Sequence, residues 1–371
     1  MAEKVLITGG AGFIGRHVAR ALLDRGHRVR VLDSLIEQVH QGKQRPDGLP
    51  AEVEFVAGDI RDETAVLKSL KGVDAVVHLA AEVGVGQSMY AVDRYTSVND
   101  YGTAVLFQQL IDNPVRRVVV ASSMSIYGEG LYRTADGEVV QDAVRAPRLD
   151  PGAPWDPVDA RSRPLVPVPT PEWKRPALAS VYAIGKYVQE RLTLTVAPAY
   201  GIEGVALRLW NVYGPGQALS NPYTGVLAIF SSRLHNGKPP VIFEDGRQRR
   251  DFVHVADIAE AFALALEHPK AAGGVYNVAS GEDRSVQEVA ALLAKAMGRP
   301  GVEPEIAGKA RVGDIRHCIA DIGKIREELG FEPKRDFEEG LAELAEWVAE
   351  QEAEDRVAEA RKELEMRGLV A

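Results

Sequence analysis

Residues 7–22 read ITGGAGFIGRHVARAL, and this stretch decides the fold. It starts at the end of an apolar strand-like run, passes through four glycines, and continues with apolar residues at helical spacing. Gly10, Gly12 and Gly15 satisfy G-x-G-x-x-G, while Gly9, Gly12 and Gly15 satisfy the related G-x-x-G-x-x-G. Glycine at these spacings permits a tight turn, close approach of a pyrophosphate to the backbone, and close packing of helix on strand. The helix N-terminus adds amide donors for an anion. A glycine turn by itself is ordinary chain punctuation. Here the flanking strand and helix, with Asp33 closing the next strand-like run, supply a dinucleotide-binding context. An acidic group there can accept from the adenosine ribose diol and repels a 2′-phosphate, so the pattern predicts NAD rather than NADP. Arg28 and Arg30 stand nearby and argue the other way.

The same alternation extends along the chain. Strand-like β-branched runs fall at 4–7, 28–32, 54–56, 75–79 and 118–121, and helical periodicity at 14–25, 64–70 and 103–111. Strand and helix in regular alternation predict an α/β chain: a Rossmann-type, doubly wound parallel sheet whose ligands lie beyond the carboxyl ends of the strands. Gly9, Asp33, Asp59, His78 and Ser122 then share one sheet edge. A smaller α/β substrate-binding domain is expected from the rest. The predicted division is 1–205 plus 248–270 for the first domain, with an insertion at about 130–178, and 206–247 plus 271–345 for the second. The insertion is rich in Pro, Asp and Arg around Trp155 and Trp173 and shows neither helical nor strand period, which predicts a lid or interface element. The charged tail 346–371 carries few helical anchors and predicts a solvated or loosely docked helix.

Composition narrows the partners. The chain has 371 residues, 46% hydrophobic and 26% charged, with a formal net charge of −9. Negative charge gives no reason to expect nucleic acid or an anionic membrane, and an anionic ligand must be met by local cations. Cys318 is the sole cysteine, which excludes an intrachain disulfide and fits a reducing, cytoplasmic setting. No apolar run approaches a membrane span, the N-terminus does not read as a signal peptide, and no metal site is expected.

Two further stretches bear chemistry. Residues 118–128, VVVASSMSIYG, end a strand in hydroxyls that point into the ligand crevice. In SVYAIGKYVQERL (180–192), Tyr182 and Lys186 lie one helical turn apart on the same face. A tyrosine of ordinary pKa is a poor base at neutral pH, but a neighbouring ammonium and a nicotinamide cation favour its phenolate. The spacing alone is weak evidence; it gains weight from the glycine-rich site and Ser123 in the same chain.

With those residues in place the chain resembles the extended short-chain dehydrogenase/reductase superfamily, in its nucleotide-sugar epimerase/dehydratase branch. The likeness runs through TGGAGFIG, GDI (58–60), HLAA (78–81), SVYAIGK, NVYGP (211–215), RDFVHVAD (250–257) and YNVASG (276–281). It implies Ser123, Tyr182 and Lys186 as the catalytic set and bound NAD as cofactor. It implies a cofactor site from Gly9, Gly12, Phe13, Ile14, Gly15, Asp33, Asp59, Ile60, Leu79, Ala80, Ala81 and Asn99, with Tyr182 and Lys186. Asp59 and Ile60 would line the adenine, and Lys186 would also hold the nicotinamide ribose. For a nucleotide-diphosphate sugar it implies contacts from Ser123, Ser125, Tyr182, Asn211, Arg250 and Arg311. Arg249 and Arg316 are neighbours able to exchange roles with the two arginines, and Asn221 in SNPYTG is a further candidate beside its turn-forming role. Relatives of this kind form homodimers through two helices per subunit, one bearing the tyrosine.

The residues after Ser123 separate the reactions of that branch. Its 4,6-dehydratases carry Asp-Glu after the catalytic hydroxyl, because eliminating water needs an acid and a base. Here the pair is Met124 and Ser125, neither of which transfers protons as a carboxyl does. A 3,5-epimerase would need its own acid/base pair. What fits is inversion at carbon 4 of the sugar through a 4-keto intermediate, by hydride transfer and one proton relay. SSMSIYGEG, the long insertion and QALSNPYTGVLAIF are similar to bacterial enzymes acting on dTDP-L-rhamnose; UDP-glucose/UDP-galactose or UDP-uronate 4-epimerases, an NAD(P)H-dependent 4-ketoreductase and a non-catalytic dinucleotide-binding protein are the alternatives.

Overall fold

The β-branched runs form a parallel sheet because they are apolar on both faces and need cover on both. The computed structural model describes residues 2–40, 42, 44–145 and 154–370. Strands β1 (Lys4–Thr8), β2 (Arg28–Asp33), β3 (Glu54–Ala57), β4 (Ala75–His78) and β5 (Arg117–Ser123) join strands Glu203–Leu209 and Val275–Val278. Their spatial order is Val275–Val278, Glu203–Leu209, β5, β4, β1, β2, β3, and every pairing is parallel. All seven residues of β5 are buried. Val118, Val119 and Val120 are fully covered, each worth roughly 1.5–3 kcal/mol of apolar burial. Strand order reverses between β1 and β4, so a crevice opens there at the carboxyl edge.

Two helices place the candidate chemistry on that edge. Phe13–Asp24 follows β1 directly, with Gly12 as an N-cap that makes no side-chain capping bond. Val181–Ala199 is capped by Ser180, whose hydroxyl accepts from the Ala183 amide at 3.1 Å. The helical run from Val92 to Asp112 is interrupted by a π-helical segment, Thr96–Tyr101, which turns Asn99 inward to complete burial.

The second lobe is built on another sheet, ordered Asn211–Tyr213, Arg249–His254, His317–Ala320, Val166–Thr170, Leu131–Arg133, Val139–Val140, with Asp283–Ser285 paired to Arg249–His254. This corrects the sequence-based boundaries in two places. Val275–Val278 belongs to the first sheet although it lies beyond residue 270, and Arg249–His254 belongs to the second although it falls in the 248–270 segment. The insertion likewise has strand structure where no period was visible. Its segment Val166–Thr170 contains Pro167 and Pro169, which remove two amide donors and obscure the alternation. It still pairs through short ladders, Ile319↔Pro169 and Ala320↔Thr170 on one side and Leu131↔Val168 to Arg133↔Val166 on the other. Part of the expected lid, residues 146–153, lies outside the described residues.

The tail also departs from expectation. Its helix Val357–Met366 buries Ala360 and Leu364, and Leu369 O accepts from the Val312 amide at 3.0 Å. Burial of those two anchors and a backbone bond give it a docked position that its charged composition concealed. Among the described residues no helix is long and apolar enough to cross a membrane.

Candidate active site

The glycine turn works by space as much as by freedom. Gly9 has φ of +68°, and a Cβ on it would lie 2.7 Å from the Ala80 amide nitrogen. A Cβ on Gly15 would lie 2.5 Å from Gly10 Cα, so that glycine lets the helix pack on the turn. Gly12 differs: the nearest atom its Cβ would meet is Gly9 O, at 3.4 Å. Tight packing is therefore absent there, and the room a pyrophosphate needs is present beside the uncapped helix start. Asp33 accepts from the Ala11 amide at 3.0 Å and the Leu35 amide at 2.9 Å, so its carboxylate stands at the rim of the same turn. Phe13, Ile14, Leu79, Ala80 and Ala81 are half-buried around this crevice.

Neighbouring charges settle the choice raised by Arg28 and Arg30. Arg30 is buried and turned to the far side, donating to Ser69 O at 2.7 Å and Lys71 O at 2.8 Å and pairing with Glu54. It is committed there, while Arg28 is exposed at the strand's beginning, away from the carboxyl edge. Asp59 is ion-paired with Arg61 at 2.6 Å, and that guanidinium holds its carboxyl below the usual range. Ile60 is buried against Gly102. Asn99 does not open onto the crevice: its amide accepts from the Glu82 amide at 2.7 Å and donates to Glu82 O at 3.2 Å, which fixes the loop after β4.

The three catalytic candidates meet at the end of β5. The Ser123 hydroxyl, which accepts from the Ser125 amide at 3.1 Å, stands beside Tyr182. Burial raises the Tyr182 pKa and the Ser123 contact offsets part of that rise. Lys186 is 4% exposed, and burial lowers its pKa to about 7. Its ammonium donates to Ala121 O at 3.0 Å and to Gln189 Oε1 at 2.9 Å. Desolvation acts on the phenol and the ammonium together, raising one pKa and lowering the other. A positive charge added at the crevice would shift the balance toward phenolate.

Behind Lys186 runs a polar relay that sequence reasoning missed. Gln189 donates to Ala80 O at 3.1 Å and to Thr103 Oγ1 at 3.0 Å. Thr103 donates to Asn99 O at 2.6 Å, so it accepts from His78 Nε2 at 2.8 Å. His78 Nδ1 then accepts from the Thr8 hydroxyl at 2.7 Å. That pattern requires neutral histidine, in keeping with burial, which lowers the His78 pKa to about 3, and with the nearby Lys186 charge. A signal for Gln189 existed, since it lies three residues after Lys186 on the same helix face. Ser122, expected from sequence to point into the crevice, instead turns inward and donates to buried Glu190 at 2.6 Å, and Arg208 grips the same carboxylate at 2.7 and 3.0 Å.

The substrate-side candidates divide. Met124 and Ser125 are buried in the turn after Ser123, and Ser125 Oγ has no hydrogen-bond partner. Asn211 lies against Met124, its amide donating to Asp251 O at 2.8 Å and approaching Met124 Sδ at 3.5 Å. Arg250 donates to the carbonyls of Arg249, Ile315 and Arg316. Arg311 pairs with Asp314 at 2.8 Å and stacks on Phe243. Arg316 cannot exchange places with either. It is 1% exposed and held by Asp156, Glu244 and Asp245, a structural ion-pair hub. Arg249 is likewise paired, with Asp283. Asn221 is buried, its side-chain oxygen accepting from the Tyr223 amide and from Gln38 in a turn.

The family profile for NAD dependent epimerases and dehydratases matches residues 5–148 and 165–279, more than half of the chain. The chain belongs to that family. The unmatched stretch between the two blocks falls in the insertion, and the tail lies beyond the match. A dTDP-L-rhamnose 4-epimerase of Burkholderia thailandensis is 35% identical over 358 residues, spanning 94% of this chain and 96% of that protein. A dTDP-glucose 4,6-dehydratase of an Actinoplanes species is 29% identical over 351 residues, spanning 93% of this chain and 97% of that protein. The crystal structure of Thermus thermophilus UDP-glucose 4-epimerase in complex with NAD superposes with a TM-score of 0.74 at 30% identity, covering 94% of this chain and 100% of that one. NAD is the cofactor of this family member, and the open space at Gly12, the Asp33 carboxylate and the displaced Arg30 fit it.

Proposed function

We propose that this chain inverts carbon 4 of a nucleotide-diphosphate hexose, of the dTDP-L-rhamnose type, through a 4-keto intermediate. The observation that carries the reading is the turn after β5: Ser123 meets Tyr182, while Met124 and Ser125 occupy the positions where water elimination would need carboxyls. The dTDP-L-rhamnose 4-epimerase that matches across nearly the whole chain supports the choice of sugar.

In this reading NAD, held by the Gly9–Gly15 turn and Asp33, would supply a reversible hydride acceptor for carbon 4 and the nicotinamide cation. Tyr182 takes the proton of the 4-hydroxyl and gives it back. Ser123 hydrogen-bonds the same oxygen and holds it against the phenol. Lys186, oriented by Ala121 O and Gln189, supplies the ammonium that favours the ionised phenol and holds the nicotinamide ribose. Gly9, Gly12 and Gly15 make room for the pyrophosphate, Asp33 takes the adenosine ribose, and Asp59 and Ile60 line the adenine. Arg250 and Arg311 bind the diphosphate; a guanidinium has five N–H donors, more than their protein contacts consume. Asn211 and Ser125 contact the sugar diphosphate, and Asn221 acts by shaping its turn. Anchoring at the diphosphate lets the keto sugar turn over without leaving. We also infer a cytoplasmic homodimer: Tyr101 and Ile184 stand 55% and 43% exposed on packed neighbouring helices, an apolar face suited to a second copy.

The test is conversion. Purified protein carrying NAD, incubated with dTDP-, UDP- and GDP-hexoses without added cofactor, should yield a mixture of 4-epimers by NMR. Tyr182→Phe should keep its NAD and lose at least about 100-fold in kcat. A requirement for added reduced cofactor would identify a ketoreductase instead.

A further inference from the structure

The C-terminal segment connects both lips of the crevice. On the second lobe Glu354 N donates to Ser220 at 3.0 Å, and Asp355, 3% exposed at its side chain, pairs with Lys238 at 2.9 Å and Arg233 at 3.4 Å. Further along, Lys309 pairs with Glu365 at 3.1 Å. The chain end then runs beside the Arg311 loop, with Val312 N donating to Leu369 O at 3.0 Å and an antiparallel bridge between Arg311 and Val370. That loop overhangs the start of the Tyr182 helix, since a Cβ on Gly313 would lie 3.2 Å from Ala179 O and 3.6 Å from Val85 Cγ1.

The opposite side of the same helix reaches the first lobe. The Leu364 methyls lie 3.5 Å from where a Gly86 Cβ would be, and Arg367 stacks on the Tyr90 ring with Cζ 4.4 Å from its centroid. Tyr90 in turn hydrogen-bonds Tyr223 of the second lobe, oxygen to oxygen at 2.6 Å. One short helix thus holds the segment after β4, the Tyr223 loop and the Arg311 loop in a fixed relation. A surface tail with only solubility to supply has no need of a buried leucine on one lobe and backbone pairing on the other.

We propose that Leu364 and Arg367 are positioning residues for nucleotide-sugar binding: the tail is a strap that holds the Arg311 loop and the Tyr90–Tyr223 pair at the crevice mouth. The inference rests on the proposed function, because it takes the crevice mouth to be where the nucleoside diphosphate enters. The strap lies beyond residues 5–148 and 165–279, which the family profile matches. It reaches Lys309, Val312 and Tyr90, and it acts on binding rather than on the proton relay.

The experiment uses full-length Leu364→Glu, Arg367→Ala and the conservative Leu364→Met. Dissociation constants for dTDP and UDP are measured by calorimetry, with bound NAD, Tm, KM and kcat recorded on the same preparations. Leu364→Glu should weaken nucleotide binding about tenfold and Arg367→Ala about threefold. KM should rise in parallel, kcat stay within about twofold and NAD content stay unchanged, with Leu364→Met restoring wild-type affinity. Unchanged affinity in Arg367→Ala and Leu364→Glu sinks the strap alone. Loss of nucleotide, NAD and Tm together in both overturns positioning in favour of a general structural role. Wild-type protein that binds neither dTDP nor UDP sinks the nucleotide-sugar reading itself, and the strap with it.

Discussion

Two buried charge networks, one beneath the carboxyl edge of the first sheet and one where the insertion meets the second lobe, use the same residue types at different depths. Under the edge, Ser122, Glu190 and Arg208 are all less than a tenth exposed, and Arg208 also donates to the Tyr127 hydroxyl at 2.7 Å. Where the insertion meets the second lobe, Arg316 and Glu244 are as deeply buried, but the side chains of their partners Asp156 and Asp245 are 42% and 28% exposed. Water can reach the second network at its rim and screen it, whereas the first has no alternative to its own partners. The first therefore fixes geometry next to Ser123 and Tyr182. The second clasps the insertion to the second lobe through Arg145, which pairs with Glu129 and Glu244.

Replacing the central carboxylate of the inner network is the most severe way to test that contrast. Glu190→Ala leaves the Arg208 guanidinium buried without its counter-charge and should cost about 3–5 kcal/mol in urea unfolding. A loss under about 1 kcal/mol would put the two networks on an equal footing. Acidification should give an intermediate effect that belongs to the edge. His78 has a folded pKa of about 3 against an ordinary 6.5. Between those values the unfolded chain binds a proton that the folded chain excludes, so stability should fall as pH drops from about 6.5 toward 3. The slope from this group is at most about 1.4 kcal/mol per pH unit. Urea midpoints from pH 4 to 7 should show a shallower dependence in His78→Gln than in wild type. The smallest effect is expected at the rim of the insertion. Asp156→Asn removes one of three carboxylates around Arg316, on a half-exposed side chain, and should cost less than about 1 kcal/mol.

Legibility followed contact range. Gly9, Gly12 and Gly15 could be read because turn, helix start and strand are neighbours in sequence. Tyr182 and Lys186 could be read because one helical turn sets them on one face. Arg316 could not: its partners Asp156, Glu244 and Asp245 lie 160, 72 and 71 residues away, so a residue that resembled a phosphate ligand turned out to be a structural hub. Gln189 carried a weak local signal, but its worth depends on Ala80, Thr103 and His78, which belong to other elements. Val166–Thr170 was hidden by its prolines, and the tail by charges that face water while Leu364 does not.

By itself the sequence determined the parallel sheet, its carboxyl edge, the glycine turn and the one-turn spacing of Tyr182 and Lys186, because periodicity and short spacings encode local geometry directly. Tertiary structure alone decided which arginines are committed to carboxylates and carbonyls, how the insertion enters the second sheet, and where the tail docks. Those outcomes depend on burial and on partners brought together from distant parts of the chain, and a charged side chain acquires its role only when folding fixes which charges face it and how much water remains between them.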